Sequence, residues 1–276
     1  MNANLKGRTI FITGASRGIG REIALRAAVD GANIVIAAKT SEPHRKLPGT
    51  IHTVAAEVEA AGGAALALQL DVRDDAAVAQ AIAAAAERFG GLDAVINNAG
   101  AISLTPAATT SMKRFDLMLS INTRAVLATA TAALPFLKRS ANAHILSLSP
   151  PLNLAAEWLK PFIPYTTTKY GMTLLSLGLA EEFRGAGIAV NTLWPRTTIA
   201  TAAIEFEVSA AMLKISRTPR IMADAAYEVL VTPARELSGR TLIDEDFLRE
   251  RGLSDFDVYK VDPAATQLAR DLYVDP

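Results

Sequence analysis

Short, continuously apolar runs alternate with longer segments of helical periodicity along the chain, and this alternation restricts the fold more than any other feature. The runs lack a polar residue at every second position, which is typical of strands buried on both faces of a sheet. A helix between successive strands allows those strands to run parallel. The predicted strands are TIFIT (9–13), NIVIAA (33–38), AALALQLDV (64–72), LDAVINNAG (92–100), AHILSLS (143–149), IAVNTLWP (188–195) and RTLIDED (240–246). The sequence therefore predicts an α/β fold, with about seven parallel strands covered by helices on both faces.

The length of 276 residues suits one large α/β domain. No Pro- or Gly-rich linker, internal repeat or low-complexity stretch divides the chain. We therefore expect a single domain over residues 1–276. The segment after about Arg249 is mostly polar and is predicted to lie on the surface as a C-terminal tail.

Composition excludes several classes of protein. Lys plus Arg number 28 and Asp plus Glu number 28, and a formal net charge of zero argues against a nucleic-acid-binding surface. There is no cysteine, so neither a disulfide nor a thiolate nucleophile is available. The three histidines are not at metal-ligand spacing, and no metal site is expected at His44, His52 or His144.

Two further observations bear on location. No stretch of about 18 residues is continuously apolar, so no membrane span is expected. The N-terminal MNANLKGRTI has no apolar run after its positive charge, which is unlike a secretory signal. The cytoplasm is therefore the expected location.

The segment TGASRGIG follows the first predicted strand and opens the first predicted helix. Glycines at this corner let the backbone turn tightly and approach a pyrophosphate, while the amides at the helix start bind the anion. A plain tight turn is the alternative, but the position between a first strand and a first helix favours a Rossmann-type, doubly wound dinucleotide-binding fold. The predicted cofactor contacts in this loop are Gly14, Ala15, Ser16, Arg17, Gly18, Ile19 and Gly20.

The end of the second predicted strand bears on which dinucleotide is bound. Lys39 lies nineteen residues after Gly20, close to where such folds carry an acid for the ribose 2′-hydroxyl. A cation there, together with Arg17 in the glycine loop, favours a 2′-phosphate by direct charge attraction. We therefore predict NADP as the cofactor, with NAD less favoured. The alternative is that both side chains are solvated surface cations.

Three motifs, TGASRGIG, NNAG (97–100) and YTTTK (165–169), occur in one order along the chain. In this respect nearly the whole chain resembles the short-chain dehydrogenase/reductase family. Stretches such as AISLT, SPPLNL and DEDFL resemble the hydroxysteroid dehydrogenase-like protein 2 subfamily and bacterial relatives known as citronellol or citronellal dehydrogenases.

The resemblance implies a role for each matching residue. It makes Tyr165 the catalytic acid/base and Lys169 its partner and a cofactor ligand. By the same resemblance, Asn122 would hold a water of the proton relay. Asp71 would contact the adenine side of the cofactor, and Asn98 would lie beside the cofactor ribose. It also implies a homo-oligomer, associated through the long helical region of about residues 111–139 and the helix after Tyr165.

Tyr165 and Lys169 are four residues apart on a predicted helix and therefore share a face. A phenol with a pKa near 10 is a poor base at neutral pH. A nearby ammonium group favours the phenolate, so we expect Lys169 and a bound nicotinamide to lower the pKa of Tyr165. An ordinary surface Tyr–Lys pair is the alternative.

The end of the fifth predicted strand departs from the family pattern. The position of the family's catalytic serine is Pro150, which has no hydroxyl. Ser147 and Ser149 point to one side of the strand, and Pro150 pushes Ser149 toward an extended conformation. A small shift at the strand end would place Ser149 in the catalytic position, so Ser149 is the predicted serine. Otherwise the site uses Tyr165 alone or a hydroxyl from another loop.

These observations predict an NADP(H)-dependent oxidoreductase that interconverts an apolar alcohol with a ketone or aldehyde. Residues 150–164 are rich in Leu and aromatic side chains, which indicates either an apolar substrate or simple core packing. The alternative function is a catalytically degenerate cofactor-binding protein with a regulatory or scaffolding role. Pro150, Arg196 in place of a glycine, and the acids at 244–246 favour that alternative, whereas intact Tyr165 and Lys169 oppose it.

Overall fold

A single parallel sheet of seven strands runs through the part of the chain that the computed structural model describes, residues 4–43, 47–207 and 209–275. Its strands are β1 Thr9–Thr13, β2 Asn33–Ala38, β3 Ala64–Gln69, β4 Ala94–Asn97, β5 Ala143–Leu148, β6 Ile188–Trp194 and β7 Thr241–Ile243. Their order across the sheet is β3-β2-β1-β4-β5-β6-β7, and each neighbouring pair is parallel. The predicted Rossmann-type sheet is therefore confirmed, with the order reversing between β1 and β4.

Helices follow almost every strand. They are α1 Gly18–Ala28, α2 Ile51–Ala60, α3 Asp75–Phe89, α4 Met112–Met118, α5 Ala125–Leu137, α6 Ala156–Leu159, α7 Ile163–Glu182, α8 Ala202–Glu207, α9 Arg220–Val231 and α10 Asp244–Glu250. A π-helical turn, Leu119–Arg124, joins α4 to α5. Short 3₁₀ turns occupy Arg184–Ala186, Ala210–Ile215 and Asp257–Tyr259.

The central strand β1 shows how the sheet is covered on both faces. Ile10 and Ile12 point into one apolar cluster, which α1 and α9 complete. Phe11 points to the opposite face, into a second cluster with residues of α3, α5 and α7. Successive side chains of a strand alternate between faces, so an unbroken apolar run requires two cores.

The continuous helical stretch Met112–Leu137 is long and apolar enough to cross a membrane, with a mean hydropathy of 1.3. This finding rests on length and composition alone, and buried core helices of globular domains can be equally long and apolar. Here Val126 and Ala130 pack into the cluster that α3 and α5 form on the sheet. The stretch is therefore weak evidence for a membrane span.

The segment after Arg249 is not a simple surface tail, and that part of the sequence prediction is wrong. Phe256 and Tyr259 join one apolar cluster, whereas Tyr273 and Val274 are buried in another. Tyr273 is only 1% exposed. Isolated aromatic anchors within a polar sequence have no periodicity, so the pattern of the sequence gives no sign of their burial.

Candidate active site

A cavity of about 1550 Å³ lies along the carboxyl ends of the strands, on both sides of the point at which the strand order reverses. Open α/β sheets bind ligands at this place. The predicted site residues that line it are Gly14, Ser16, Arg17, Gly18, Ile19, Lys39, Asp71, Asn98, Asn122, Tyr165 and Lys169. The cavity therefore joins the glycine loop to the Tyr–Lys pair.

The glycine loop is close-packed against the fourth strand. A Cβ atom at Gly14, whose φ is +67°, would lie 2.9 Å from backbone and side-chain atoms of Ala99 and Asn98. A Cβ atom at Gly20 would lie 2.5 Å from Asn98 Nδ2. These contacts leave no room for a side chain at either position, so the glycine loop packs directly against residues 98 and 99.

Two predicted contacts in this region, those of Ala15 and Gly20, need correction. Ala15 is fully buried and Gly20 packs behind the loop, so neither lies among the cavity-lining residues. Asn98 lines the cavity, but its Nδ2 donates to the carbonyl oxygens of Thr13 (2.8 Å) and Gly14 (3.0 Å). Its side chain therefore braces the glycine turn, because β1 and β4 are adjacent at this point.

Charged side chains gather at the far end of the cavity. Lys39 Nζ lies 3.3 Å from Asp71, whose carboxylate also accepts from Arg73 Nε at 2.9 Å. The hydrogen bonds from Arg73, more than the contact with Lys39, hold the pKa of Asp71 well below its usual range. Arg17 Nη2 donates to Thr40 Oγ1 at 3.1 Å, which places its guanidinium beside the β2 turn. The two predicted 2′-phosphate cations, Arg17 and Lys39, thus both line the cavity beside the end of β2.

Tyr165 and Lys169 occupy the first turns of α7, and both side chains are nearly buried. Lys169 Nζ donates to the carbonyl oxygen of Leu148 at 2.6 Å and lies 5.0 Å from the centre of the Trp194 ring. These contacts hold the ammonium group of Lys169 next to the carboxyl ends of β5 and β6. The predicted i, i+4 pair is therefore directed into the cavity and not to the surface.

The ionisation of this pair differs from the sequence expectation. Burial raises the pKa of Tyr165 well above 10, and Tyr273 and Asp271 add to the shift. Burial also lowers the pKa of Lys169 to about 7. The protein chain by itself therefore holds Tyr165 protonated at neutral pH, because burial disfavours the charged phenolate.

Asn122 lies within the π-helical turn Leu119–Arg124, a kind of turn that is frequent at functional sites. Its Oδ1 accepts from Ala101 N at 2.8 Å, and its Nδ2 donates to Ala101 O at 3.0 Å. Nδ2 also donates to Thr168 Oγ1 at 2.9 Å. Asn122 therefore connects the segment after β4 to helix α7, directly beside Lys169.

Ser149 does not reach the cavity. It is fully buried, and its hydroxyl donates to the carbonyl oxygen of Lys169 at 2.8 Å and contacts Thr173 Oγ1. Ser147 on the same side of β5 contacts Asn97 and Ser176. The predicted catalytic role of Ser149 is therefore wrong for this geometry, because the serines face α7 and not the cleft.

The substrate side of the cavity also differs from the sequence interpretation. The apolar residues of 150–164 are absent from the part of the cavity wall that the structure describes. Trp158, Leu159 and Phe162 pack instead around Tyr273. The apolar side chains on this side of the cavity are instead Ala101, Ile102, Leu104, Leu148, Trp194 and Leu272, and Arg270 and Asp271 line it as well.

The family profile for short chain dehydrogenases matches residues 8–209. The chain belongs to the short chain dehydrogenase family. Hydroxysteroid dehydrogenase-like protein 2 of Danio rerio is 54% identical over 271 residues, which cover 98% of this chain and 65% of the relative. The chain thus spans slightly less than two-thirds of that curated relative's length.

Solved structures give the same family assignment. A protein from Xanthomonas campestris is 49% identical, with a TM-score of 0.95 and coverage of 99% of this chain and 100% of its own. A more distant short-chain oxidoreductase in complex with NADP is 25% identical, has a TM-score of 0.71, and matches over 87% of this chain and 97% of its own. A short chain dehydrogenase from Mycobacterium paratuberculosis bound to NAD is 23% identical, has a TM-score of 0.74, and matches over 87% and 97%.

Two departures from the family pattern compensate each other in the structure. The guanidinium group of Arg196 pairs with the carboxylate of Asp246, and Arg196 N donates to Asp244 Oδ1 at 2.8 Å. Glu245 pairs with Arg217 and Arg249. Two of the three acids after β7, Glu245 and Asp246, are therefore paired with arginines, whereas buried Asp244 accepts hydrogen bonds from the backbone amides of Arg196 and Glu245.

The sequence predicts no metal site at any of the three histidines. The structure describes His52 and His144, whereas His44 lies outside the described residues. His144 is buried in β5, and its Nε2 lies 3.1 Å from the carbonyl oxygen of Thr232. Among the residues of 4–43, 47–207 and 209–275, no group of three His, Cys, Asp or Glu side chains is arranged to hold a metal ion.

Proposed function

We propose that the protein is an NADP(H)-dependent oxidoreductase that interconverts an apolar alcohol with a ketone or aldehyde. The supporting observation is the single cavity that contains the glycine loop at one end and Tyr165 with Lys169 at the other. A nicotinamide cofactor fits this cavity, because backbone amides at the start of α1 suit the pyrophosphate.

NADP is proposed over NAD on the basis of charge. Arg17 and Lys39 both line the end of the cavity that the ribose of the adenosine would occupy. The acid at that end, Asp71, is already bound to Arg73 and Lys39. A 2′-phosphate would compete for Lys39 and gain charge-assisted hydrogen bonds there.

The chain's own groups support proton transfer to a carbonyl oxygen. A bound nicotinamide would supply the hydride in this direction. Tyr165 is protonated at neutral pH because burial raises its pKa, so it is ready to act as the general acid. Lys169, held by Leu148 O, stabilises the phenolate that remains after the proton has left. Asn122 fixes the segment after β4 against α7.

The cavity wall around Tyr165 supports an apolar substrate. Ile102, Leu104 and Leu272 line it, and Trp194 closes one side. Apolar walls exclude water and favour an aliphatic or otherwise apolar chain by burial, at about 25 cal/mol per Å². The substrate class is therefore an apolar alcohol and its carbonyl partner.

Turnover with a panel of aliphatic aldehydes, ketones and alcohols tests this function. The absorbance of NADPH at 340 nm reports each reaction, and fluorescence titration reports cofactor binding. Consumption of NADPH with at least one apolar carbonyl would support the proposal. NADPH binding without turnover across the panel would favour a degenerate, cofactor-binding protein instead.

We also propose a homo-oligomer associated through α4–α5 and α7. Leu127 on α5 is 46% exposed and Leu174 on α7 is 59% exposed, which leaves large apolar side chains on both helical faces. Light scattering on the wild type and on Leu174→Glu tests the assembly. A lower mass for the variant would support this interface.

A further inference from the structure

The strand-end serines supply no polar partner for the reacting oxygen of the proposed substrate besides Tyr165. Ser147 and Ser149 are fully buried and bonded toward α7. The amide of Asn122 already makes hydrogen bonds through both its oxygen and its nitrogen. These groups are therefore committed to the scaffold.

Asp271 is a polar side chain on the substrate side of the same cavity. It lines the wall together with Tyr165, Lys169 and Leu272, although it is only 9% exposed. Its Oδ1 accepts from Leu272 N at 2.7 Å. A carboxyl group has more capacity than one accepted hydrogen bond, so the group can also bind a ligand atom in the cavity.

The segment that carries Asp271 is fixed to the strand ends. Asp271 N donates to Arg196 O at 3.0 Å, and Trp194 Nε1 donates to Leu272 O at 2.9 Å. Tyr273 follows with a φ of +68°, the one positive φ of a non-glycine residue within the described ranges. Strained backbone of this kind persists where the surroundings over-determine it, and it clusters at functional sites.

Packing around the ring of Tyr273 holds this backbone conformation in place. Its centre lies 5.2 Å from the ring of Tyr170, 5.9 Å from Trp158 and 6.1 Å from Trp194. Its hydroxyl lies 3.0 Å from Thr166 Oγ1. Because Thr166 and Tyr170 are on α7, the aromatic anchor holds Asp271 against the helix that carries Tyr165 and Lys169.

The surroundings of Asp271 favour the protonated, neutral form of its carboxyl group more than water favours that form of an exposed acid. Burial is the main cause that raises its pKa to about 7, and the carboxyl of Asp244 adds to the shift. The Leu272 amide, the ammonium of Lys169 and the Trp194 side chain oppose the shift. A carboxyl that is partly protonated near pH 7 is able to donate a hydrogen bond as well as accept one.

We propose that Asp271 is a further catalytic residue, whose protonated carboxyl donates a hydrogen bond to the reacting oxygen of the substrate. This inference rests on the proposed function. In the reductive direction a hydride adds to the carbonyl carbon and the proton of the Tyr165 hydroxyl passes to the oxygen, which leaves oxidised nicotinamide and a phenolate. Asp271 keeps its proton throughout and stabilises the negative charge that develops on the oxygen.

Three variants test the role of Asp271: Asp271→Leu, Asp271→Asn and, as a matched control, Asp275→Asn. Asp275 is an exposed acid on the same segment, and its carboxylate accepts a hydrogen bond from Asn153 Nδ2. The kcat for NADPH-dependent reduction of the best carbonyl of the panel is measured at pH 7. We expect Asp271→Leu to lose about 100-fold in kcat, the effect of removing one donor to a developing oxyanion. Asp271→Asn retains a donor and is expected to stay within about tenfold of wild type.

Several results would overturn the inference. Asp271→Leu with wild-type kcat would do so, and so would Asp271→Asn falling as far as Asp271→Leu. Cofactor titration and thermal melting show whether each variant is folded, and Asp271→Ala replaces Asp271→Leu if that variant fails to fold. A wild type without turnover, or an active Tyr165→Phe, would overturn the proposed function as well. An active wild type with inactive Tyr165→Phe and unaffected Asp271→Leu would overturn this inference alone.

Discussion

Two carboxyl groups mark the two ends of the cavity, and they are held in opposite ways. Asp71 at the cofactor end is partly exposed and paired with Arg73 and Lys39, and its pKa is lowered. Asp271 at the substrate end is buried, and its pKa is raised to about 7. One end therefore stabilises ionised groups, whereas the other disfavours charge that has no partner.

The two ends also differ in how the chain builds them. The glycine loop comes from one continuous strand–turn–helix segment, residues 9–28. The substrate end combines the segment after β4, α7, the end of β6 and residues near 271, which are far apart in the chain. Local sequence thus encodes the glycine loop, whereas tertiary packing creates the substrate end and brings Lys39 and Asp71 to the cofactor end.

The largest effect is expected for Tyr165→Phe, which removes the one proton donor of the proposed mechanism. General acid catalysis contributes about 10²- to 10⁴-fold, so kcat should fall by about 10³-fold while NADPH affinity stays unchanged. Steady-state kinetics and fluorescence titration measure the two quantities. Tyr170→Phe is the matched control, because the Tyr170 hydroxyl binds Asn153 instead. Retained turnover in Tyr165→Phe would place the acid elsewhere.

Tyr273→Ala is expected to show that the substrate end depends on the C-terminal segment for its stability. Removing a buried aromatic side chain costs about 3–5 kcal/mol of the free energy of unfolding. Urea denaturation measures this loss. Tyr273→Phe should lose only about 1 kcal/mol, the value of its hydrogen bond to Thr166. Equal stability of Tyr273→Ala and wild type would mean that the aromatic cluster does not hold the segment in place.

The same contrast sets the limit of prediction from sequence. Continuously apolar runs that alternate with helical segments predict the sheet. The four-residue spacing of Tyr165 and Lys169 predicts that they share one face of a helix. Asp271 carries no such signal, since a single acid in a polar segment resembles any surface residue. Ser149 shows the converse error: its sequence position is close to the family serine, but β5 directs its hydroxyl toward Thr173 and Lys169. Side-chain direction at a strand end depends on packing that the sequence does not express.

Lys39→Asp probes the cofactor end and is expected to have a smaller effect. The substitution removes a charge-assisted contact to the 2′-phosphate and adds an acid beside Asp71, so the Kd for NADPH should rise about 10- to 100-fold. The Kd for NADH should change much less. Lys138→Asp, an exposed lysine after α5, is the matched control. An unchanged preference for NADPH over NADH would mean that Lys39 does not bind the phosphate.

The smallest effect is expected for the ion pair between Arg196 and Asp246, which is partly exposed to solvent. Side-chain exposures of 30% and 46% mean that water screens the two charges. Arg196→Ala, Asp246→Ala and the double variant form a cycle whose coupling energy in urea denaturation should be below about 1 kcal/mol. Because the backbone contact of Arg196 N with Asp244 survives in all three proteins, kcat should stay near wild type. A coupling of several kcal/mol would instead show that this departure from the family pattern stabilises the substrate end as strongly as the buried aromatic anchor does.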